Sequence, residues 1–320
     1  MDRIICVVGP TASGKTKLAV QLAKLYDGEV VSCDSMQIYK HMDIGTAKPT
    51  KEEMEGVAHH LIDMVEPGED FSAGKYVQLA DACVQDILSR GKTAVIAGGT
   101  GLYVDSLIAG RSFAPVPQTG RREALEAQLR ETGGEAMLAR LREIDPEAAA
   151  RLHPADEKRI IRALEVYAET GRTITQHNLD TQRIPPRYRP VWIGLDYLDR
   201  AVLYRRIDLR VDLMMKNGLL AEVEKLKEMG CTRDMVSMQG LGYKEMIAYL
   251  DGEYSLEEAV YIIKRETRHF AKRQLTWFRR EKDVIWFDKK EYKYNNTAIL
   301  DAMCHILTEK GICDESTVRK

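Results

Sequence analysis

Six cysteines (Cys6, Cys33, Cys83, Cys231, Cys304 and Cys313) are scattered through 320 residues, and no two make a C-x-x-C pair. That spacing excludes a disulfide framework and a cysteine zinc site, and it suits a reducing compartment. No apolar run approaches the roughly 20 residues that cross a bilayer, so no membrane association is expected. Met1-Asp2-Arg3 leads straight into an apolar segment, so no secretory leader is expected and the cytoplasm is the expected location. Net charge is also scarce: 47 Lys and Arg against 49 Asp and Glu leave −2. The sum alone argues against a nucleic-acid partner, but local distribution matters more, and here it is uneven. Internal repeats and low-complexity tracts are missing too.

What is present begins with Gly9-Pro-Thr-Ala-Ser-Gly14-Lys15-Thr16, which satisfies G-x-x-x-x-G-K-[ST] at every fixed position. Ile4-Ile-Cys-Val-Val8 before it has the apolar, β-branched character of a buried strand. Residues 17–26 after it place Leu18, Ala19, Leu22 and Leu25 on one helical face. Strand, glycine loop and helix in that order bring backbone N–H groups and a positive helix end onto phosphate oxygens. Lys15 adds a point charge, and Thr16 offers a hydroxyl to Mg²⁺. The pattern therefore predicts an α/β fold with a P-loop NTPase-like core, a parallel sheet flanked by helices.

Val30 and Val31 open a second strand, and Asp34 falls at its C-terminal end, where open α/β sheets hold ligands. Asp34 is then a carboxylate aimed at the site, or a cap for the turn that follows. His59-His60 precedes Leu61-Ile-Asp-Met-Val65, the expected third strand. Adjacent histidines on a strand face opposite ways, which makes them poor co-ligands for a metal. Ser72 caps an expected helix through Leu88. Lys92-Thr-Ala-Val-Ile-Ala97 is the expected fourth strand, ending in Gly98-Gly-Thr-Gly-Leu-Tyr103. This second glycine-rich turn brings Thr100 near the first loop, or is only a tight turn.

At Arg111 the character changes. Pro115, Pro117 and Gly120 mark a linker into an arginine-rich helical stretch, and Pro185-Pro186 closes it before the strand Val191-Trp-Ile-Gly-Leu195. The expected organisation is a core of 1–112 and 192–320 with an all-helical insertion at 113–191. In the insertion Lys158, Arg159 and Arg162 occupy neighbouring helical positions, forming either a cationic face or a salt-bridged surface. Asp199 starts a helix with Leu203, Ile207, Val211 and Met214 as its buried stripe. Ser255-Leu-Glu-Glu258 is a capping box for a long helix carrying Lys264, Arg265, Arg268, Lys272, Arg273, Arg279 and Arg280, with Phe270, Trp277 and Phe278 interleaved. Dense basic residues with aromatics suit phosphate-backbone contact and base stacking. The alternative places the aromatics in the core and the bases in water.

Phosphate-loop enzymes usually hold Mg²⁺ with an acid that ends another apolar strand. Here 92–97 ends in glycines, and the nearby acids are Asp34 and, second, Asp63. A bound group that leaves as pyrophosphate would let the loop, Lys15 and Mg²⁺ stabilise its charge. Asp34 would then be free to act as a base.

Taken together, Gly9 to Thr16, Asp34-Ser-Met-Gln-Ile-Tyr39, Asp43-Ile-Gly-Thr-Ala-Lys-Pro49, His59-His-Leu-Ile-Asp63 and Gly98 to Tyr103 resemble the motif series of the tRNA dimethylallyltransferases, also called tRNA isopentenylpyrophosphate transferases. His153-Pro-Ala-Asp156, Arg162-Ala-Leu-Glu-Val166, Gly242-Tyr-Lys-Glu245 and Lys272-Arg-Gln-Leu-Thr-Trp277 continue it in order, so the likeness runs from about residue 4 to 287. The absent Cys/His spacing of the eukaryotic zinc-finger extension sets the chain with bacterial members. The resemblance implies attack by the N6 amine of adenosine-37 in tRNA on C1 of dimethylallyl diphosphate, with release of pyrophosphate. It implies Asp34 as general base and Thr100 as a hydroxyl that holds the reacting groups. The diphosphate falls to Gly9, Pro10, Thr11, Ala12, Ser13, Gly14, Lys15 and Thr16. The resemblance also implies an arginine after Asp199 as a clamp, Arg206 first and Arg210 second, and Mg²⁺ on Thr16. The flipped adenosine would meet Asp34, Ser35, Met36 and Gln37. Lys158, Arg159, Arg162, Gln239, Lys272 and Arg273 would grip the anticodon stem-loop. A monomer is expected, and P-loop, nucleotide- and ATP-binding character comes with the motif. Rival readings are an adenylate isopentenyltransferase acting on free nucleotides, an ATP-dependent small-molecule kinase and an RNA-binding NTP switch.

Overall fold

The apolar run at 4–8 is fully buried and forms most of β1 (Arg3–Val8), an inner strand of a six-stranded, wholly parallel sheet. The others are β2 (Gly28–Ser32), β3 (His59–His60), β4 (Thr93–Ala97), β5 (Arg189–Asp196) and β6 (Ile285–Asp288), in the order β3-β2-β4-β1-β5-β6. Continuous β-branched runs suit strands covered on both faces. β1 pairs with β4, Val7 opposite Ala97, and with β5, Val7 opposite Ile193. The computed structural model describes residues 2–111, 113 and 119–312; the linker prolines Pro115 and Pro117, and Cys313, lie outside them.

Helices cover both faces. Leu18 and Leu22, from the helix Lys15–Leu25, pack with Ile299, Met303 and Leu307 of the helix Asn296–Glu309. On the opposite face Tyr76, Val84 and Ile87 of the helix Ala73–Ser89 join Val104, Leu107 and Phe278. Ser72 caps that helix by accepting a hydrogen bond from Lys75 N. The basic helix runs Leu256–Phe278 behind its capping box.

The third strand differs from the expectation at 61–65. Leu61 and Asp63 adopt φ of 62° and 55°, which ends the extended run after His60; Val65 keeps a single parallel bridge to Tyr39. Neither β6 nor the helix Asn296–Glu309 is among the elements expected from the sequence.

The chain divides into two compact units, Met1–Ile108 with Arg187–Lys320, and Ala109–Pro186. The second unit ends at Pro186 rather than at 191, because Arg189 and Pro190 already pair with Arg3 and Ile4 of β1. Its described helices are Arg121–Ile144, bent where Gly133 takes φ 80°, then Pro146–Ala149, Glu157–Thr170 and Ile174–Gln182. Leu125, Met137, Leu141, Ile160 and Leu164 make its core.

Candidate functional site

The phosphate-loop segment sits where β1 ends. Gly9 takes φ 140°, and a Cβ there would stand 2.4 Å from Leu195 O, so the turn accepts only glycine. Ser13 is fully buried, and its Oγ has no hydrogen-bond partner. An unsatisfied hydroxyl inside a glycine loop fits a phosphate oxygen as its missing partner. Lys15 Nζ donates to Pro10 O at 2.7 Å. Burial, and then Arg210, bring the Lys15 pKa down to about 8, with Asp34 pulling the other way.

Asp34 lies two residues past β2, on the wall of a cavity that it shares with Thr11, Ala12, Gly14, Lys15, Thr16 and Arg210. Its Oδ1 accepts from Met36 N at 2.9 Å and more weakly from Gln37 N at 3.4 Å. The turn-capping reading therefore holds for one oxygen. Oδ2 makes no hydrogen bond among the described residues. Gln37 shares the cavity wall, and its side-chain amide donates to Thr46 O and Ala47 O, each at 3.3 Å. The stretch 43–45 is itself held by Glu222, whose carboxylate accepts from Asp43 N, Ile44 N and Gly45 N at 2.9, 2.8 and 3.1 Å. Asp63 does not reach this wall; it pairs with Lys48.

The second glycine turn comes up beside the first. Thr100 Oγ1 accepts from Ser35 N at 3.1 Å and so steadies the turn that carries Asp34. Gln274, on the basic helix, joins the two loops: its Oε1 accepts from Thr11 N at 2.8 Å and its Nε2 donates to Gly99 O at 3.0 Å. The ring of Phe270, one turn earlier, lines the same cavity.

The two candidate clamps take different places. Arg206 Nε donates to Ala12 O at 3.0 Å, and its guanidinium lies over Tyr197, so it grips the loop itself. Arg210 lines the cavity. Lys289, 8% exposed, places its ammonium 2.9 Å from where a Gly14 Cβ would be and donates to Asn296 Oδ1 at 3.2 Å. Burial, Arg206 and Lys17 lower its pKa to about 8. Lys17, Arg206 and Lys289 form no ion pair among the described residues, which leaves a positive excess around the loop. For a divalent cation the cavity offers the Thr16 hydroxyl and the Asp34 carboxylate. Hard oxygens of this kind suit Mg²⁺, which takes few protein ligands and completes its shell with phosphate and water. Among the described residues no group of three His, Cys, Asp or Glu forms a metal cage. The two histidines are engaged separately, His59 with Val57 O and His60 with Glu29.

On the basic helix, Lys264 and Arg268 pair with Asp212 and Asp208 of the helix Arg200–Lys216, at 2.6 and 2.5 Å. Those acids stand far away in sequence. Lys272 and Arg273 are exposed, without ion pairs among the described residues. Of the aromatics, Phe278 is buried, and Trp277 Nε1 donates to Asp105 at 2.7 Å. Gln239 is exposed, in a turn whose Gly240 lies against Met36. In the other unit Arg159 pairs with Asp156 and Arg162 with Glu165, both at 3.0 Å, while Lys158 is exposed and has no ion pair there.

The pattern of the IPP transferase family matches residues 37–281. The chain is 49% identical over 309 residues to a tRNA dimethylallyltransferase of Acetivibrio thermocellus, covering 96% of this chain and 98% of that protein. It is 49% identical over 313 residues to one of Lachnoclostridium phytofermentans, covering 98% and 99%. Among solved structures it is similar to the full-length tRNA isopentenylpyrophosphate transferase of Bacillus halodurans, with TM-score 0.71, 44% identity and coverage of 97% and 98%. It is also similar to a eukaryotic dimethylallyltransferase acting on tRNA, with TM-score 0.82, 27% identity and coverage of 97% and 80%.

Proposed function

The chain belongs to the IPP transferase family, and from that premise we propose how its site works as a tRNA dimethylallyltransferase. The enzyme transfers a dimethylallyl group to N6 of adenosine-37 in tRNA and releases pyrophosphate. The donor is dimethylallyl diphosphate, and the tRNA part engaged is the anticodon stem-loop. The protein acts as a monomer in the cytoplasm.

The reading rests on one observation: the Asp34 carboxylate and the phosphate loop line the same cavity. An exocyclic adenine amine is a weak nucleophile. Asp34 Oδ2 accepts its proton as N6 bonds to C1 and the C1–O bond breaks. Charge then builds on the diphosphate. The loop N–H groups, Ser13 Oγ, Lys15 and Arg210 meet that charge, while Arg206 keeps the loop in shape through Ala12 O. Thr16 would supply an oxygen for Mg²⁺, which when bound would neutralise part of the diphosphate charge. Thr100 holds the Asp34 turn through Ser35 N. Ser35, Met36 and Gln37 face the everted base. Lys158, Arg159, Arg162, Gln239, Lys272 and Arg273 contact the RNA, with Lys158, Lys272 and Arg273 free of ion pairs that would compete.

Labelled dimethylallyl diphosphate offered to equal concentrations of tRNA and AMP tests the assignment. Label is expected in tRNA and not in AMP. Label only in AMP, or transfer of a γ-phosphate from ATP in its place, would overturn it.

A further inference from the structure

Gln274 stands on a helix whose neighbouring residues, Lys272 and Arg273, face solvent, yet it is only 6% exposed. Both ends of its amide are used, on segments 263 and 175 residues away in sequence. Its orientation is fixed by its partners: Thr11 N–H can only donate and Gly99 C=O can only accept. The fit on the Gly99 side is close, since a Cβ there would stand 2.0 Å from Nε2. We propose that Gln274 is a positioning residue for the transfer, a strut that sets the distance between the phosphate cradle and the turn bearing Thr100. Through Thr100 and Ser35 N that turn holds Asp34, so the strut fixes where the leaving diphosphate lies relative to the base. The proposal rests on the assignment of Asp34 and the loop made above.

The geometry explains the residue type. One donor and one acceptor are needed at opposite sides of one planar group, on a stem that reaches both loops. A carboxylate has only acceptors and would face Gly99 O with a lone pair. Methionine has similar length and no hydrogen-bonding group at either position. Because a misplacement of about 1 Å costs about 10²-fold in rate, removing the strut affects the chemical step more than binding. The helix has separate anchors beside it: Trp277 Nε1 donates to Asp105, and Phe278 is in the core. A change at 274 therefore leaves the helix docked.

The experiment compares wild type, Gln274→Met and Gln274→Glu in thermal unfolding, tRNA binding, binding of inorganic pyrophosphate and single-turnover transfer between pH 6 and 8. Both variants are expected to fold and to bind tRNA within twofold of wild type. Both should lose at least tenfold in single-turnover rate and at least fivefold in pyrophosphate affinity. The Gln274→Glu deficit, taken relative to wild type at each pH, shrinks toward pH 6, because a protonated carboxyl regains an O–H donor for Gly99 O. The Gln274→Met deficit stays constant. Lys15, Asp34, His59 and Arg210, the ionisable groups lining this cavity, are common to all three proteins and cancel in the ratio. Folded variants with rates and pyrophosphate affinities within twofold of wild type would overturn the proposal, as would a loss that merely tracks unfolding. If wild type transfers nothing to tRNA, the function assigned above fails, and the pyrophosphate measurement still decides the strut.

Discussion

At the level of single residues, the site concentrates cations that lack acids. Lys289 is the clearest case: a buried ammonium whose neighbours Arg206 and Lys17 are also positive. Its folded-state pKa, about 8, lies below the ordinary 10.5. Between those values the unfolded chain holds more protons than the folded one, so stability rises with pH across that window. Below it the charge is a standing cost. Lys289→Met is therefore expected to melt higher than wild type at pH 7, with the difference shrinking by pH 9.5. The same variant should bind inorganic pyrophosphate more weakly, because one positive charge has left the loop. Differential scanning calorimetry at the two pH values, with titration calorimetry at pH 7, checks both.

Among the elements, the loop over 43–47 depends on a remote anchor. Glu222 takes three consecutive backbone N–H groups and the Tyr243 hydroxyl, the last at 2.7 Å. Hydrogen bonds to a charged group contribute about 1.5–3 kcal/mol each, though they share one carboxylate here. Glu222→Ala is expected to lower unfolding free energy by about 3 kcal/mol in urea titration and to make this loop the first site of proteolytic cleavage. Because Gln37 is tied to Thr46 O and Ala47 O, KM for tRNA should rise with it. Such anchors are where sequence reasoning stops. The phosphate loop and Asp34 are legible because fixed local spacing and the end of a β-branched strand carry the signal. Glu222 and Lys289 work across separations that no local pattern encodes, and the partners of Gln274, itself inside the Lys272–Trp277 motif, are as remote. Asp208 and Asp212, which neutralise part of the basic helix, are hidden for the same reason. The third strand stops short of 61–65 because two positive-φ residues interrupt an apolar run that otherwise looks extended. β6 is four residues long with no motif attached.

Over the whole molecule, a net charge of −2 conceals a local surplus. Lys264, Arg265 and Arg268 of the long helix and Arg159 and Arg162 of the unit Ala109–Pro186 have acidic partners, while Lys158, Lys272 and Arg273 have none among the described residues. Affinity for tRNA should therefore fall steeply with salt despite the acidic total. Replacing Lys158, Lys272 or Arg273 singly by Ala should reduce the slope of log K against log[salt] by about 0.7–0.9. Replacing Arg162, held by Glu165, should change it less. Filter-binding across 50–300 mM KCl separates these cases.

The central claim is that one carboxylate beside the phosphate loop deprotonates the tRNA amine as diphosphate departs. Single-turnover transfer by Asp34→Asn, with tRNA affinity measured on the same protein, tests it most directly. The rate is expected to fall by 10²–10⁴-fold, the usual contribution of a general base, with tRNA affinity unchanged. Transfer within threefold of wild type by Asp34→Asn would contradict the account.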